Sequence, residues 1–185
     1  MVLIQPYSDA WPADFRRIAA HLRSILGDRA VRIDHIGSTA VPGLAAKDRI
    51  DVQVTVAQLG DAQPLVDAGL EEFVGFADHR PPGADGPEDD WNKRLFNGPP
   101  DDRRANVHVR VDGRANQRYA LLFRDYLRAH PAAAEAYAEL KHRLAAELRD
   151  VGTYADVKDP ACDLILVAAE DWAKLTGWQP GPSDG

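Results

Sequence analysis

The sequence predicts an α+β (mixed α/β) domain, with a mixed sheet, flanking helices and a helical C-terminal half. Three observations predict it. Ile50–Val56 alternates strictly, with Ile50, Val52, Val54 and Val56 on one side and Asp51, Gln53 and Thr55 on the other. Residues 106–111 repeat the pattern, with Val107, Val109 and Val111 apolar and Asn106, His108 and Arg110 polar. After Gly113 the period changes to 3.6: Tyr119, Leu122, Phe123, Tyr126 and Leu127 form one helical stripe.

The remaining elements follow in order. Val2 to Ile4 read as a short strand or lead-in. A helix is expected over 12–26, where Phe15, Ile18, Ala19, Leu22 and Leu26 share a face. Pro12 suits its first turn and Gly27 its end. Residues 31–36 read as a strand, broken by the Gly37-Ser38-Thr39 turn. A helix is expected over about 61–68, closed by Gly69. The stretch 78–104 is cut by Pro81-Pro82-Gly83, Gly86-Pro87 and Gly98-Pro99-Pro100. Such a long connection inside a compact domain is usually functional or mobile. A short strand is expected inside it over 93–96. Pro131 opens a second long helix, and Asp159-Pro160 reads as the start of a third. That third helix is expected to bury Leu164, Ala168, Trp172 and Leu175. Residues 1–178 are read as one domain and 179–185, rich in Gly, Pro and Ser, as a flexible tail.

The composition limits the function classes. The chain has 185 residues, 45% hydrophobic and 28% charged, the balance of an ordinary globular domain. Lys and Arg number 22 against 29 Asp and Glu, a net charge of −7. That balance argues against duplex nucleic acid as a partner, because such binding rests on an excess of cations. A small phosphorylated ligand needs only a few local donors. The single cysteine, Cys162, builds neither a disulfide framework nor a multi-cysteine zinc site. No run of 18 apolar residues is present, so no membrane partner is expected. The segment MVLIQPYSDAW lacks a basic region followed by a long apolar core, so the expected location is cytoplasmic.

The chemistry-bearing stretch is His35-Ile36-Gly37-Ser38-Thr39, followed by Lys47 and Asp51. A strand that runs into Gly-Ser-Thr exposes backbone N–H groups and two hydroxyls, a cradle suited to phosphate oxygens. Asp51 opens the next strand on its polar face, where a carboxylate can hold Mg²⁺ or Mn²⁺ beside bound phosphates. The competing interpretation is an ordinary turn capped by Ser or Thr. A Walker A loop is not present.

The run HIGSTAVPGLAAKDRIDVQV resembles the signature of the GrpB family, which is grouped with nucleotidyltransferases. The resemblance extends from about residue 2 to 175. It includes Tyr7, Trp11-Pro12, the NVHVRV strand, FRDYLRAHP, Tyr137 with Lys141, and Tyr154 with Lys158. It implies a nucleotidyltransferase-like sheet and a nucleotide context, since some members are fused to dephospho-CoA kinase. Such enzymes usually carry Asp-x-Asp or Asp-x-Glu on the second strand. Here Gln53 stands two after Asp51, and an amide is a poorer Mg²⁺ ligand. Lys47-Asp48-Arg49 also departs from the more usual Lys-Pro.

The site expected from these residues has three parts. Asp51 and His108 are the candidate catalytic pair. Gly37, Ser38, Thr39, Lys47, Arg94 and Arg110 are candidate contacts to nucleotide or phosphate. Asp51, His35 and His108 are candidate metal ligands. Arg124, Lys141 and Lys158 are further candidates for phosphate, although Arg124 beside Asp125 also fits a surface pair. Two functions remain open at this point. One is a nucleotidyltransferase-like protein that binds a nucleotide or other phosphorylated small molecule, with metal-dependent transfer to a small acceptor. The other is a degenerate relative that binds a ligand or metal without transfer.

Overall fold

In a computed structural model, residues 2–84, 86–148 and 151–185 are described. Trp11–Leu26 is helix α1, Ala30–Ile36 is β1 and Ile50–Val56 is β2. A 3₁₀ turn at Leu59–Ala62 leads into the short helix α2, Gln63–Asp67. Then come β3 (Glu72–Phe73), β4 (Arg94–Asn97) and β5 (Ala105–Val111). Three helices close the chain: α3 (Ala115–Ala129), α4 (Pro131–Glu147) and α5 (Val151–Thr176). The five strands form one mixed sheet in the order β1-β2-β5-β4-β3. Among the described residues β2 and β5 run parallel, and β1–β2, β5–β4 and β4–β3 are antiparallel.

The alternation of the strands decides which layer covers each face. The apolar side of β2 and β5 packs on Trp11, Phe15, Ile18, Leu22 and Leu26 of α1. These groups are buried almost completely, and removing that area from water is the main drive for the α1–sheet layer. The polar side faces α3: the Gln53 amide donates to the carbonyl of Gln117 at 3.2 Å. Register fixes the membership of that side. Asp51 lies opposite Asn106, Gln53 opposite His108 and Thr55 opposite Arg110. On the other flank Asp51 lies opposite Ile36, while His35 lies opposite Val52.

Three local expectations are corrected. The third helix does not begin at Asp159-Pro160: α5 starts at Val151 and carries Pro160 inside it. Burial of Tyr154 and Cys162 on either side of Pro160 holds the helix against a local breaker. Leu164 and Leu175 point outward, 75% and 88% exposed, and the buried side is formed by Cys162, Ala169 and Ala173. The strand in the long connection is Arg94–Asn97, one residue later than expected, and β3 is a short pairing the sequence did not signal.

The tail lies along the free edge of β1. Gly185 N–H donates to Ile33 O at 3.0 Å, and Ser183 Oγ accepts from Ile33 N–H at 2.9 Å. The Asp184 carboxylate accepts from His35 N–H at 3.0 Å and from Arg124 Nη1 at 2.6 Å. Arg124 is 3% exposed and also donates to the carbonyl of His35, so it is a buried tie between α3 and β1 rather than a surface pair alone.

Candidate functional site

At one end of the polar face, the sheet and helices α3–α5 enclose a cavity of about 480 Å³. Gly37, Ser38, Asp51, His108 and Arg110 all line it. The turn and the β2 carboxylate meet because Gly37 has φ 67° and carries no side chain. A Cβ on Gly37 would stand 2.5 Å from Asp51 Oδ2. Glycine is therefore required there twice over, by conformation and by close approach.

Asp51 is held from β5. Asn106 Nδ2 donates to Asp51 Oδ1 at 2.8 Å, and His108 Nε2 stands 3.6 Å from the same oxygen. Its side chain is 30% exposed, toward the cavity. Burial pushes its carboxyl up, but the neighbouring His108 and Asn106 outweigh that and hold it below the usual carboxylate value. His108 is shifted down by burial, against the upward pull of Asp51, and by the charges of Arg110 and Lys93. The Lys93 ammonium lies 3.3 Å from His108 Nδ1. An ammonium can only donate, so Nδ1 accepts and the ring proton sits on Nε2, facing Asp51. In that tautomer His108 turns an N–H toward Asp51 Oδ1 at 3.6 Å.

Gln53 and Arg110 explain what replaces a second carboxylate. Arg110 Nη1 donates to Gln53 Oε1 at 2.6 Å. Its other nitrogens grip Asp78 in a fork, at 2.7 and 2.8 Å. Lys93 Nζ lies 2.6 Å from the same carboxylate. Burial pushes the Asp78 carboxyl up, but these two cations overcome it and hold it well below the usual range. Where a two-ion centre needs clustered carboxylates, this face presents one exposed acid, two amides and two committed cations. Among the described residues no group of three His, Cys, Asp or Glu side chains could hold a metal ion.

Several expected members fall elsewhere. His35 is on the opposite face of the sheet from Asp51, as the one-residue offset in register demands. It stacks on Phe15 at 4.8 Å and bonds Thr39 Oγ1 at 2.9 Å. Burial lowers its pKa to about 4, so it is a neutral packing group and not a ligand beside Asp51. Thr39 lines the cavity, but its hydroxyl is committed to His35. Arg94 is not at the cavity. Its guanidinium is paired with Glu72 at 2.6 Å on the far side of β4. Lys47 is at the cavity, over the ring of Tyr154 at 4.1 Å; burial and then Lys158 lower its pKa.

Lys141, a further phosphate candidate from the sequence, is tied directly to the Gly-Ser turn. It is 3% exposed on α4, yet it reaches Ser38 Oγ at 2.9 Å and also bonds the carbonyl of Ala45. Burial, and then the charge of Lys158, lower its pKa to about 7. Arg49 lines the cavity too and donates to Asn106 at 2.7 Å. Asp78 had no sequence signal beyond lying in the long connection. That loop returns on itself, with Asp78 N–H donating to Trp91 O at 2.9 Å, and so delivers Asp78, Trp91 and Lys93 to one wall. Tyr119, Phe123 and Tyr137 continue the lining from there, with Tyr119 edge-on to Trp91 at 6.0 Å between ring centroids.

Fold and site together define a class: a mixed-sheet α+β domain in which a Gly-Ser turn and one strand carboxylate meet at a cationic cavity. The chain belongs to the GrpB protein family, which it matches over residues 1–167. The crystal structure of the conserved protein GrpB from Enterococcus faecalis has 31% identity and a TM-score of 0.74, covering 92% of this chain and 99% of that one. UPF0157 protein BH1888 of Halalkalibacterium halodurans is 37% identical over 91% of this chain and 82% of its own length. A protein of Mycolicibacterium paratuberculosis named dephospho-CoA kinase is 40% identical over 97% of this chain. This chain spans 48% of that relative's length, and about half of the other mycobacterial relatives of that name. A fainter likeness, to the Cid1 poly(U) polymerase, has 16% identity and a TM-score of 0.46, too low to bear on activity. No helix among the described residues is long and apolar enough to cross a membrane.

Proposed function

We propose that the cavity binds a nucleotide or other phosphorylated small molecule, and that the protein works as a binding member of its class without two-ion transfer chemistry. The observation that carries this is the charge of the cavity. Among the described residues, Lys47, Arg49, Lys93, Arg110, Lys141 and Lys158 line it against Asp51, Asp78 and Asp159, in a chain of net charge −7. Lys93 and Arg110 are spent on Asp78, and Lys47, Arg49, Lys141 and Lys158 remain on the cavity lining, with Lys141 at Ser38, for the ligand's phosphate oxygens. In a partly enclosed site those contacts are stronger than in water. Tyr119, Phe123 and Tyr137 offer aromatic surface for a base or another ring, Tyr119 and Phe123 nearly parallel and Tyr137 edge-on to Phe123.

The residues do not fit a resident two-ion centre, because Gln53 and Asn106 are amides and Gln53 is held by Arg110. A second reading keeps transfer chemistry. Its support is Asp51, one carboxylate open to the cavity beside the Gly-Ser turn. Mg²⁺ is often bound through one or two carboxylates plus substrate phosphates. Calorimetric titration with ATP, pyrophosphate and AMP, with and without Mg²⁺ or Mn²⁺, separates the two. The binding reading expects affinity without metal, lost in Lys47→Ala and kept in Asp51→Asn. Binding that requires metal and disappears in Asp51→Asn supports the second reading. A wild-type protein that binds none of these ligands refutes both.

A further inference from the structure

We propose that Ser38 and Lys141 form a nucleophile–base pair that cleaves small acyl esters bearing an anionic group. This goes beyond ligand binding and needs no metal. The two side chains come from the turn after β1 and from α4, and they meet at 2.9 Å on the cavity wall. That distance is within reach for proton transfer from a hydroxyl to an amine. The Lys141 amine is fixed on its other side by the carbonyl of Ala45 and sits 4.7 Å from the Tyr137 ring. A neutral amine in this place donates to Ala45 O and turns its lone pair to the Ser38 hydroxyl. Burial and the charges of Lys158 and Lys47, against the upward pull of Cys162 and Asp51, lower its pKa to about 7, so the neutral form is available near neutral pH. Lys47 and Lys158 line the same cavity and supply positive charge for an anionic substrate and for the oxyanion of the tetrahedral adduct. Phe123 and Tyr137 face the acyl or aryl portion.

The step balances without an outside reagent except water. Ser38 Oγ bonds to the ester carbonyl carbon while its proton passes to Lys141 Nζ. The carbon–oxygen bond to the alcohol then breaks, and the leaving oxygen takes the proton back from Nζ. Water attacks the acyl-Ser38 ester by the same route, which releases the carboxylic acid and restores both side chains.

A fluorophosphonate probe tests the nucleophile, with the labelled residue located by peptide mass spectrometry. The folded wild type is expected to be labelled at Ser38, at a rate that rises with pH through about 7 as Lys141 loses its proton. Lys141→Met is expected to slow labelling by about 10²- to 10⁴-fold, the usual contribution of a positioned base. Ser38→Ala should lose the label, and hydrolysis of mono-p-nitrophenyl succinate, an ester that carries a carboxylate, should fall to the uncatalysed rate. Because Lys141 is buried, its variant is checked by thermal melting. Ser38→Cys provides a second route: its alkylation by iodoacetamide should show the same dependence on Lys141 and pH. An unlabelled Ser38 in the folded wild type, or labelling indifferent to both Lys141 and pH, overturns the proposal.

Discussion

Replacing Gly37 by alanine tests the contact on which the site is built. Gly37 has φ 67° and ψ −168°, a region that is essentially glycine's alone. Holding alanine there costs about 1–3 kcal/mol. The new Cβ would also meet Asp51 at 2.5 Å to Oδ2, 3.1 Å to Cβ and 3.2 Å to Cγ. Two of the three atoms belong to the stem of a side chain fixed at the start of a central strand, so little can give. Overpacking of this kind costs a further ~1–3 kcal/mol. The sum is about 4 kcal/mol, a large part of the ~5–15 kcal/mol stability of a typical domain. For a chain of this length that lowers Tm by about 8–16 °C. Urea unfolding followed by tryptophan fluorescence measures the loss directly. A cycle with Asp51→Ala divides the two contributions. Asp51→Ala removes Oδ2 and Cγ, the 2.5 and 3.2 Å contacts, and keeps Cβ at 3.1 Å, so most of the steric part is relieved and the double variant should be about 1–2 kcal/mol more stable than the sum of the singles predicts. A Gly37→Ala variant within about 0.5 kcal/mol of wild type, or strict additivity with Asp51→Ala, would refute the reasoning.

Four other outcomes follow from the same geometry. Asp78→Asn leaves the Arg110 and Lys93 side chains, 6% and 8% exposed, without their acid, and should cost about 3–5 kcal/mol in denaturant unfolding. The folded carboxyl of Asp78 lies below its unfolded value, so wild-type stability should be full above about pH 4 and fall as acid protonates it, a slope that Asp78→Asn should flatten. The His35 ring should titrate near 4 by NMR. Its folded value is depressed, so it contributes stability above about 6.5 that is lost between about 6.5 and 4, and an acid limb confined to lower pH would contradict this. Asp184→Ala removes the 2.6 Å pair with Arg124, whose Asp125 and His35 contacts remain, and should lower stability by about 1–2 kcal/mol; no change would mean the tail does not tie β1 to α3. Pyrophosphate affinity, read by calorimetry, should fall as pH rises through about 7 and Lys141 loses its charge, and Lys141→Met should abolish that dependence.

The sequence by itself determined most of the elements, though not the start of α5 or the short β3. Alternation in Ile50–Val56 and in the NVHVRV run fixed two central strands and their polar sides, since the side-chain period of a strand is two and only one side can meet α1. The same alternation placed Asp51, His108 and Arg110 on one side, and the Gly-Ser break marked the turn beside them. Tertiary structure alone decided which charges are partners. His35 is only two residues from Gly37, yet the antiparallel register turns it to the α1 side, a fact that needs the pairing with Val52. Arg94 and Arg110 are both arginines on strands, but register sends one to Glu72 and the other to Asp78 and Gln53. Pro160 marks a helix start locally and lies inside a helix globally, because burial on either side outweighs one lost hydrogen bond. Lys141 stands 103 residues from Ser38, and only the fold of α4 over the turn brings the two within a hydrogen bond and strips the water that would keep the amine fully charged.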